Sequence, residues 1–167
     1  MSNKPLKLAI LLSGSGTTML NIQRCIDEGK LNAEIKTVIS SRGDVKGIDR
    51  ARSIGLEPII IRRKDFDSIE SFSDKVAAVV RDSGCELVVQ AGWLCLWHIP
   101  DDFVNKVMNI HPALLPSFGG KGMWGHFVHE AVLNAGCKLS GCTVHFCTNE
   151  YDKGPIIVQR SCAAFDS

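Results

Sequence analysis

Short apolar runs alternate along the chain with stretches whose apolar residues recur every three or four positions. Leu6–Leu12 is a nearly continuous apolar run, the pattern of a strand covered on both faces. After a Ser13–Gly16 turn, Met19, Ile22, Ile26 and Leu31 have roughly helical spacing, and Gly29 falls near that helix's end. The pattern continues with a strand at Ile35–Ser40, a short helix over Lys46–Ile54 ending at Gly55, and a strand at Pro58–Ile61. Phe72, Val76, Val79 and Val80 mark an amphipathic helix over Ser68–Asp82, stopped by Ser83-Gly84. Leu87–Ala91 reads as a fourth strand, Asp101–Lys106 as a short helix and Val107–Ile110 as a fifth strand. A loop rich in proline and glycine, Pro112 to Gly122, leads to a helix from about Gly125 to Ala135. Gly141–Cys147 and Ile156–Cys162 then read as two closing strands. This alternation predicts an α/β fold: a doubly wound, mainly parallel sheet with helices on both faces, right-handed crossovers and an antiparallel closing pair.

Composition narrows the class. A length of 167 residues predicts one domain spanning 1–167. Apolar residues at 45% and charged residues at 22% exclude a disordered tail or a fibrous repeat. Nineteen Lys and Arg against 18 Asp and Glu leave a net charge of +1, so no basic excess supports nucleic-acid binding. No apolar run approaches the ~20 residues that span a bilayer. The opening Met1–Lys7 leads into only a handful of apolar residues, too short for a signal peptide. The seven cysteines are odd in number, and several lie in apolar stretches, which predicts free thiols in a reducing, cytoplasmic setting. Cys142, His145 and Cys147 are close in sequence, but a regular strand turns Cys142 away from the other two. No second Cys-x-x-Cys pair exists, so no metal site is expected.

Ligands of open α/β sheets bind beyond the carboxyl ends of the strands, so the loops leaving those ends carry the candidate chemistry. The first is Ser13-Gly14-Ser15-Gly16-Thr17-Thr18. Its glycines permit close backbone approach, its hydroxyls donate, and a helix start offers free N–H groups to one phosphate. It is neither the dinucleotide fingerprint, since Met19 stands where a third glycine is needed, nor a Walker loop. A plain strand-to-helix turn capped by Thr17 explains it equally well. Second, Asn109 and His111 are two apart at the end of an extended segment, so their side chains share a face. An amide and an imidazole there can bind one carbonyl oxygen and manage one proton; a capping Asn and a structural His would look the same. Third, Asp152, before Lys153-Gly154-Pro155, is either a turn former or the carboxylate that orients a histidine. His98, His126 and His129 read as surface or pocket-rim residues, and His145 either shares the sheet face of the site or is a satisfied core histidine.

Three segments resemble a known family. They are Asn109–Phe118 (NIHPALLPSF), Gly141–Phe146 (GCTVHF) and Asp152–Gln159 (DKGPIIVQ), and in this order and spacing they resemble the phosphoribosylglycinamide formyltransferase family of folate-dependent enzymes. The Ser-Gly-Ser-Gly-Thr segment fits too, and the resemblance runs over essentially the whole chain. It implies a Rossmann-like formyltransferase fold and transfer of the formyl group of 10-formyltetrahydrofolate, the co-substrate, to the amine of glycinamide ribonucleotide in de novo purine synthesis. No metal is implied, and the partners would be these small molecules, with the protein a monomer or homodimer. By the same resemblance Asn109, His111 and Asp152 match the catalytic trio. Gly14, Ser15, Gly16, Thr17 and Thr18 would hold the substrate phosphate. Trp93, Leu94, Cys95, Leu96 and Trp97, with Asn109, would line the folate pocket.

The sequence departs from the family at four places. Family members commonly carry Asn where Thr18 stands and Arg at the positions matching Ile69 and Cys95; Arg62, Arg63 and Lys64 are candidates to compensate. The chain also stops at Ser167, short of the family's C-terminal segment, so the site is expected to be completed differently or the chain to be a truncated form. A sibling formyltransferase, a formyltetrahydrofolate hydrolase, or a catalytically weak binding homologue are the alternative expectations.

Overall fold

The computed structural model describes residues 4–165. The start at Met1 and the end at Ser167, on which the expectations about a leader and a short C-terminus rest, lie outside the described residues. Strand β1 (Leu6–Leu12) has its last five residues buried, as the continuous apolar run predicts. It pairs in parallel with β2 (Ala33–Ser40) on one side and with β4 (Leu87–Gln90) on the other. β3 (Ile59–Ile60) adds to the outer edge of β2, giving the parallel order β3-β2-β1-β4. The expected strand Pro58–Ile61 shrinks to two residues here, because Pro58 has no N–H to give a ladder.

Helices link these strands. α1 (Thr17–Asp27) buries Met19, and α2 (Lys46–Ser53) buries Gly47, Ile48 and Ala51. α3 (Ile69–Asp82) is capped by Ser68, whose hydroxyl accepts from the Ser71 N–H at 3.1 Å, and it buries Phe72, Val76 and Val80. One core gathers Leu8, Ile10, Leu12, Met19, Ile35 and Val38. The expected helix at Asp101–Lys106 is only a single 3-10 turn, Asp101–Phe103; Asn105, at φ 58°, breaks its continuation. A second 3-10 turn, Arg63–Asp65, lies between β3 and α3.

The chain divides into two compact units, the first ending at Val107 and the second beginning at Met108. β5 (Val107–His111) opens the second, followed by α4 (His126–Asn134), β6 (Leu139–Phe146) and β7 (Ile156–Ala163). β6 lies antiparallel to both β5 and β7, so the closing pair is antiparallel as the sequence predicts. Parallel strands with their helices in the first unit, and this antiparallel end in the second, make the fold the mixed, mostly parallel α/β class. All seven cysteines are free, and no helix among the described residues is long and apolar enough to cross a membrane.

Candidate active site

Strand pairing in the second unit explains why distant residues meet. In the β5–β6 ladder Asn109 stands opposite His145, and His111 opposite Thr143, so one face of two strands presents four polar side chains. A register shift between Val144 and His145 in the β6–β7 pairing adds a local bulge beside them. His111, Thr143 and His145 are all buried, at 3%, 0% and 2% exposure, so each needs partners.

Thr143 supplies much of the scaffold. Its hydroxyl donates to the Ala113 carbonyl at 2.7 Å and accepts from the Leu115 N–H at 3.0 Å and from Gln159 Nε2 at 2.9 Å. The Gln159 amide also donates to the Leu115 carbonyl at 2.9 Å. Residues 113–115, which follow His111, are thereby tied to β6 and β7.

Asp152 sits in the turn between β6 and β7 in the left-handed region, φ 56°. Its Oδ2 accepts from the Gly120 N–H at 2.8 Å and lies 3.5 Å from His111 Nδ1, while its Oδ1 lies 3.5 Å from His145 Nε2. Burial pushes this carboxyl up, but the His145 hydrogen bond, the Gly120 N–H and the charges of His111 and His145 outweigh it and hold the group below the ordinary carboxylate value. His111 Nε2 donates to the Phe118 carbonyl at 2.8 Å, so both its ring nitrogens face acceptors, an arrangement that an imidazolium satisfies fully. Nearby Cys147 has its thiol raised to about 12 by burial and then by the Asp152 charge, which leaves it a neutral wall at pH 7.

His145 is the member that sequence reasoning left undecided. Its Nδ1 donates to the Phe146 carbonyl at 2.9 Å, and its Nε2 lies 3.2 Å from the Asn109 amide nitrogen and faces Asp152 Oδ1. The signal for His145 was its alternation with Val144 and Phe146, but register, not sequence, sets it opposite Asn109.

The first unit holds the glycine loop. Gly16 is the N-cap of α1 at φ 75°, with no side-chain cap, so Thr17 is the first helical residue rather than the cap. The amides of Thr17, Thr18 and Met19 have no acceptor within the helix, whose bonds begin with Leu20 N–H to the Gly16 carbonyl. A Cβ at Gly16 would lie 2.9 Å from the Gly47 Cα, and the Gly47 N–H donates to the Gly14 carbonyl at 3.0 Å. Two glycines therefore let the loop rest on the start of α2. Ser15 Oγ lies 3.3 Å from Thr17 Oγ1, and Arg50 Nη1 donates to the Ser15 carbonyl at 2.7 Å. Arg50 lies 35 residues along the chain from Ser15, and no local pattern announces it.

The Trp93–Trp97 segment is mostly turned inward. Trp93 and Trp97 are 7% and 1% exposed, Trp93 stacks on Phe72 at 6.1 Å, and both indole N–H groups are buried without a hydrogen-bond partner. Leu94 is exposed, and Leu96 and Cys95 are half-buried; Leu94 and Cys95 line a cavity of the first unit. Ile69 is half-buried at the start of α3. His98, His126 and His129 are exposed. Among the described residues no group of three or more His, Cys, Asp or Glu could hold a metal ion.

Residues 6–167 match the family model described as formyl transferase. A chloroplastic phosphoribosylglycinamide formyltransferase of Arabidopsis thaliana is 37% identical over 93% of this chain and 54% of its own length. A counterpart in Vigna unguiculata is 35% identical over 92% of this chain and 50% of its length, so the chain spans about half the length of these plant relatives. Phosphoribosylglycinamide formyltransferase of Haemophilus influenzae is 30% identical over 95% of this chain and 74% of its own. Among solved structures, glycinamide ribonucleotide transformylase 1 from Symbiobacterium toebii superposes with a TM-score of 0.90 at 33% identity, over 99% of this chain and 76% of that one.

Proposed function

This chain belongs to the formyl transferase family, and we propose that it moves the formyl group of 10-formyltetrahydrofolate to the glycinamide amine of 5'-phosphoribosylglycinamide. The products would be formylglycinamide ribonucleotide and tetrahydrofolate, a step of de novo purine (IMP) synthesis carried out in the cytoplasm. The observation that carries this reading is the convergence of Asn109, His111 and Asp152, with His145 joining Asn109 to Asp152.

The amine nitrogen attacks the formyl carbon, and the carbonyl oxygen gains negative charge as the nitrogen gains positive charge. The Asn109 amide N–H, beside the His145 ring, is the donor for that oxygen; one preorganised donor of this kind is worth ~3–4 kcal/mol. His111, whose Nδ1 faces Asp152, is the second donor once its Nε2–H turns from the Phe118 carbonyl. The bond from the formyl carbon to the folate nitrogen then breaks. The proton lost by the attacking nitrogen reaches the leaving nitrogen through His111 or a water held by Asp152, so atoms and charge balance. His145 is a positioning residue here, since it acts through Asn109. In this reading the amides of Thr17 and Thr18, with Arg50 behind the loop, receive the ribonucleotide phosphate, and Leu94, Cys95 and Leu96 face the folate.

A coupled assay with 10-formyltetrahydrofolate and a panel of amine acceptors tests the reading. Turnover with glycinamide ribonucleotide alone supports it. Turnover with another amine, or release of formate without an acceptor, replaces it with a sibling transferase or a hydrolase, and binding without turnover with a binding homologue.

A further inference from the structure

Residues 92–100, between β4 and the 3-10 turn at Asp101–Phe103, form neither helix nor strand, so their backbone amides need partners outside any ladder. Two buried serines from other parts of the first unit supply them. Ser13, just past β1, accepts at its hydroxyl from the Leu94 N–H at 2.9 Å, and its own N–H donates to the Gly92 carbonyl at 3.0 Å. The Ser41 hydroxyl, just past β2, donates to Ser13 Oγ at 2.6 Å and fixes its direction. Ser73, on α3, donates to the Ile69 carbonyl one turn back at 2.6 Å, which aims its lone pairs at the His98 N–H, 2.8 Å away.

The two clamps bracket a stretch whose side chains turn both ways. Trp93 and Trp97 are buried, with Trp93 stacked on Phe72 of α3, while Leu94 is exposed and Cys95 and Leu96 are half-buried between them. Neither indole N–H has a hydrogen-bond partner, so the tryptophans anchor the segment by packing. Packing of that kind is non-directional and does not set the path of the three residues between the rings. Hydrogen bonds at Leu94 and His98 do, because each prefers a narrow range of angles at the amide. Ser73 also stands out chemically, since it interrupts the apolar face that α3 buries with Phe72, Val76, Ala77 and Val80. A buried hydroxyl costs free energy unless its hydrogen bonds are made, and both of its bonds here serve the approach of the segment to the helix.

We propose that Ser13 and Ser73 are positioning residues for formyl transfer, which hold Leu94–Leu96 in the path that receives the folate and touch no reacting atom themselves. The inference rests on the reading that this stretch faces the co-substrate. A wall ordered before binding spares the ligand the cost of ordering it, so the loss of either clamp falls on the donor and not on the ribonucleotide. Ser73 is the cleaner probe, because Ser13 adjoins the Gly14–Thr18 loop.

Calorimetric titration of the full chain with tetrahydrofolate and, separately, with glycinamide ribonucleotide tests it. Ser73→Ala is expected to weaken tetrahydrofolate about ten-fold and to leave the ribonucleotide within about two-fold of wild type. Adding Ser13→Ala is expected to weaken tetrahydrofolate further. Ser73→Thr, which keeps a hydroxyl able to bond the same carbonyl, is expected to restore tetrahydrofolate affinity. Ile10→Ala, which destabilises the same unit without removing a hydrogen bond, is expected to lower the melting temperature and leave the ratio of the two affinities unchanged. Wild-type tetrahydrofolate affinity in Ser73→Ala, equal losses for both ligands, or equal weakening by alanine and threonine overturns the proposal. A wild type that binds no tetrahydrofolate overturns the folate reading itself, and the positioning roles with it.

Discussion

The two units bury different things. The first packs Leu8, Ile10, Leu12, Met19, Ile35 and Val38 into an interior of hydrocarbon, whereas the second places His111, Thr143 and His145 at its centre. Apolar burial is non-directional and tolerates pH, while a buried polar network holds only while every donor has its acceptor. The difference shows where this chain accepts electrostatic cost: in the antiparallel unit, where strand register delivers pairs of side chains to one spot. The polar side chains that the parallel unit buries, Ser13, Thr37, Ser40, Ser41 and Ser73, are all hydroxyls, whereas the antiparallel unit also buries two imidazoles.

The sharpest way to break this contrast is His111→Ala. It is expected to cut turnover by ~10²–10⁴-fold, the range for a positioned acid or base; retention of more than about a tenth, a loss under ~1.4 kcal/mol, would end its catalytic assignment. Next in size, Ile10→Ala in the first unit should cost ~2–5 kcal/mol in urea unfolding while the folded fraction keeps its turnover. A fall in turnover of the folded protein would show that the two units are not separable in function.

Thr143→Val keeps shape but strips the hydroxyl from the Ala113, Leu115 and Gln159 partners. Unsatisfied groups there predict a loss of ~1–3 kcal/mol, read as a lower denaturation midpoint, accompanied by reduced turnover as residues 113–115 loosen. Asp152→Asn separates the units by pH. Because its folded carboxyl is held below the ordinary value, the wild type has a stabilising contribution that is whole above about pH 4, the unfolded value, and is lost as pH falls through the lowered folded value. Melting temperatures of wild type and Asp152→Asn should therefore converge on acidification, and a constant gap would contradict the network. Smallest is Arg50→Gln, expected to weaken ribonucleotide binding a few-fold without touching the donor. Gly16→Val is a poorer probe of the same loop, because its side chain would meet the Gly47 backbone and disturb the fold itself.

Much of this architecture was legible from periodicity. β1 occupies the residues its apolar run marked, and α3 starts one residue after the Ser68 that caps it. Errors collected where propensity and backbone geometry disagree, as at Pro58 and Asn105. In the candidate site, Asn109 and His111 were legible because a two-residue spacing on a strand fixes a shared face. His145 and Arg50 were not, since their partners lie 36 and 35 residues away and depend on register and helix docking. The buried attitude of Trp93 and Trp97 was also hidden, because an aromatic in an irregular segment reads alike in a core and in a pocket wall.

The three tryptophans give the protein a built-in optical division. Trp93 and Trp97 are enclosed in the first unit, while Trp124, on the approach to α4 in the second, is 44% exposed and packs edge-on against Phe127 at 4.9 Å. Acrylamide should therefore quench a red-shifted component belonging to Trp124 and spare a blue-shifted component belonging to the other two. Emission followed at two wavelengths then reports each unit in its own colour, so a denaturation in which one half loosens first would be visible without any label.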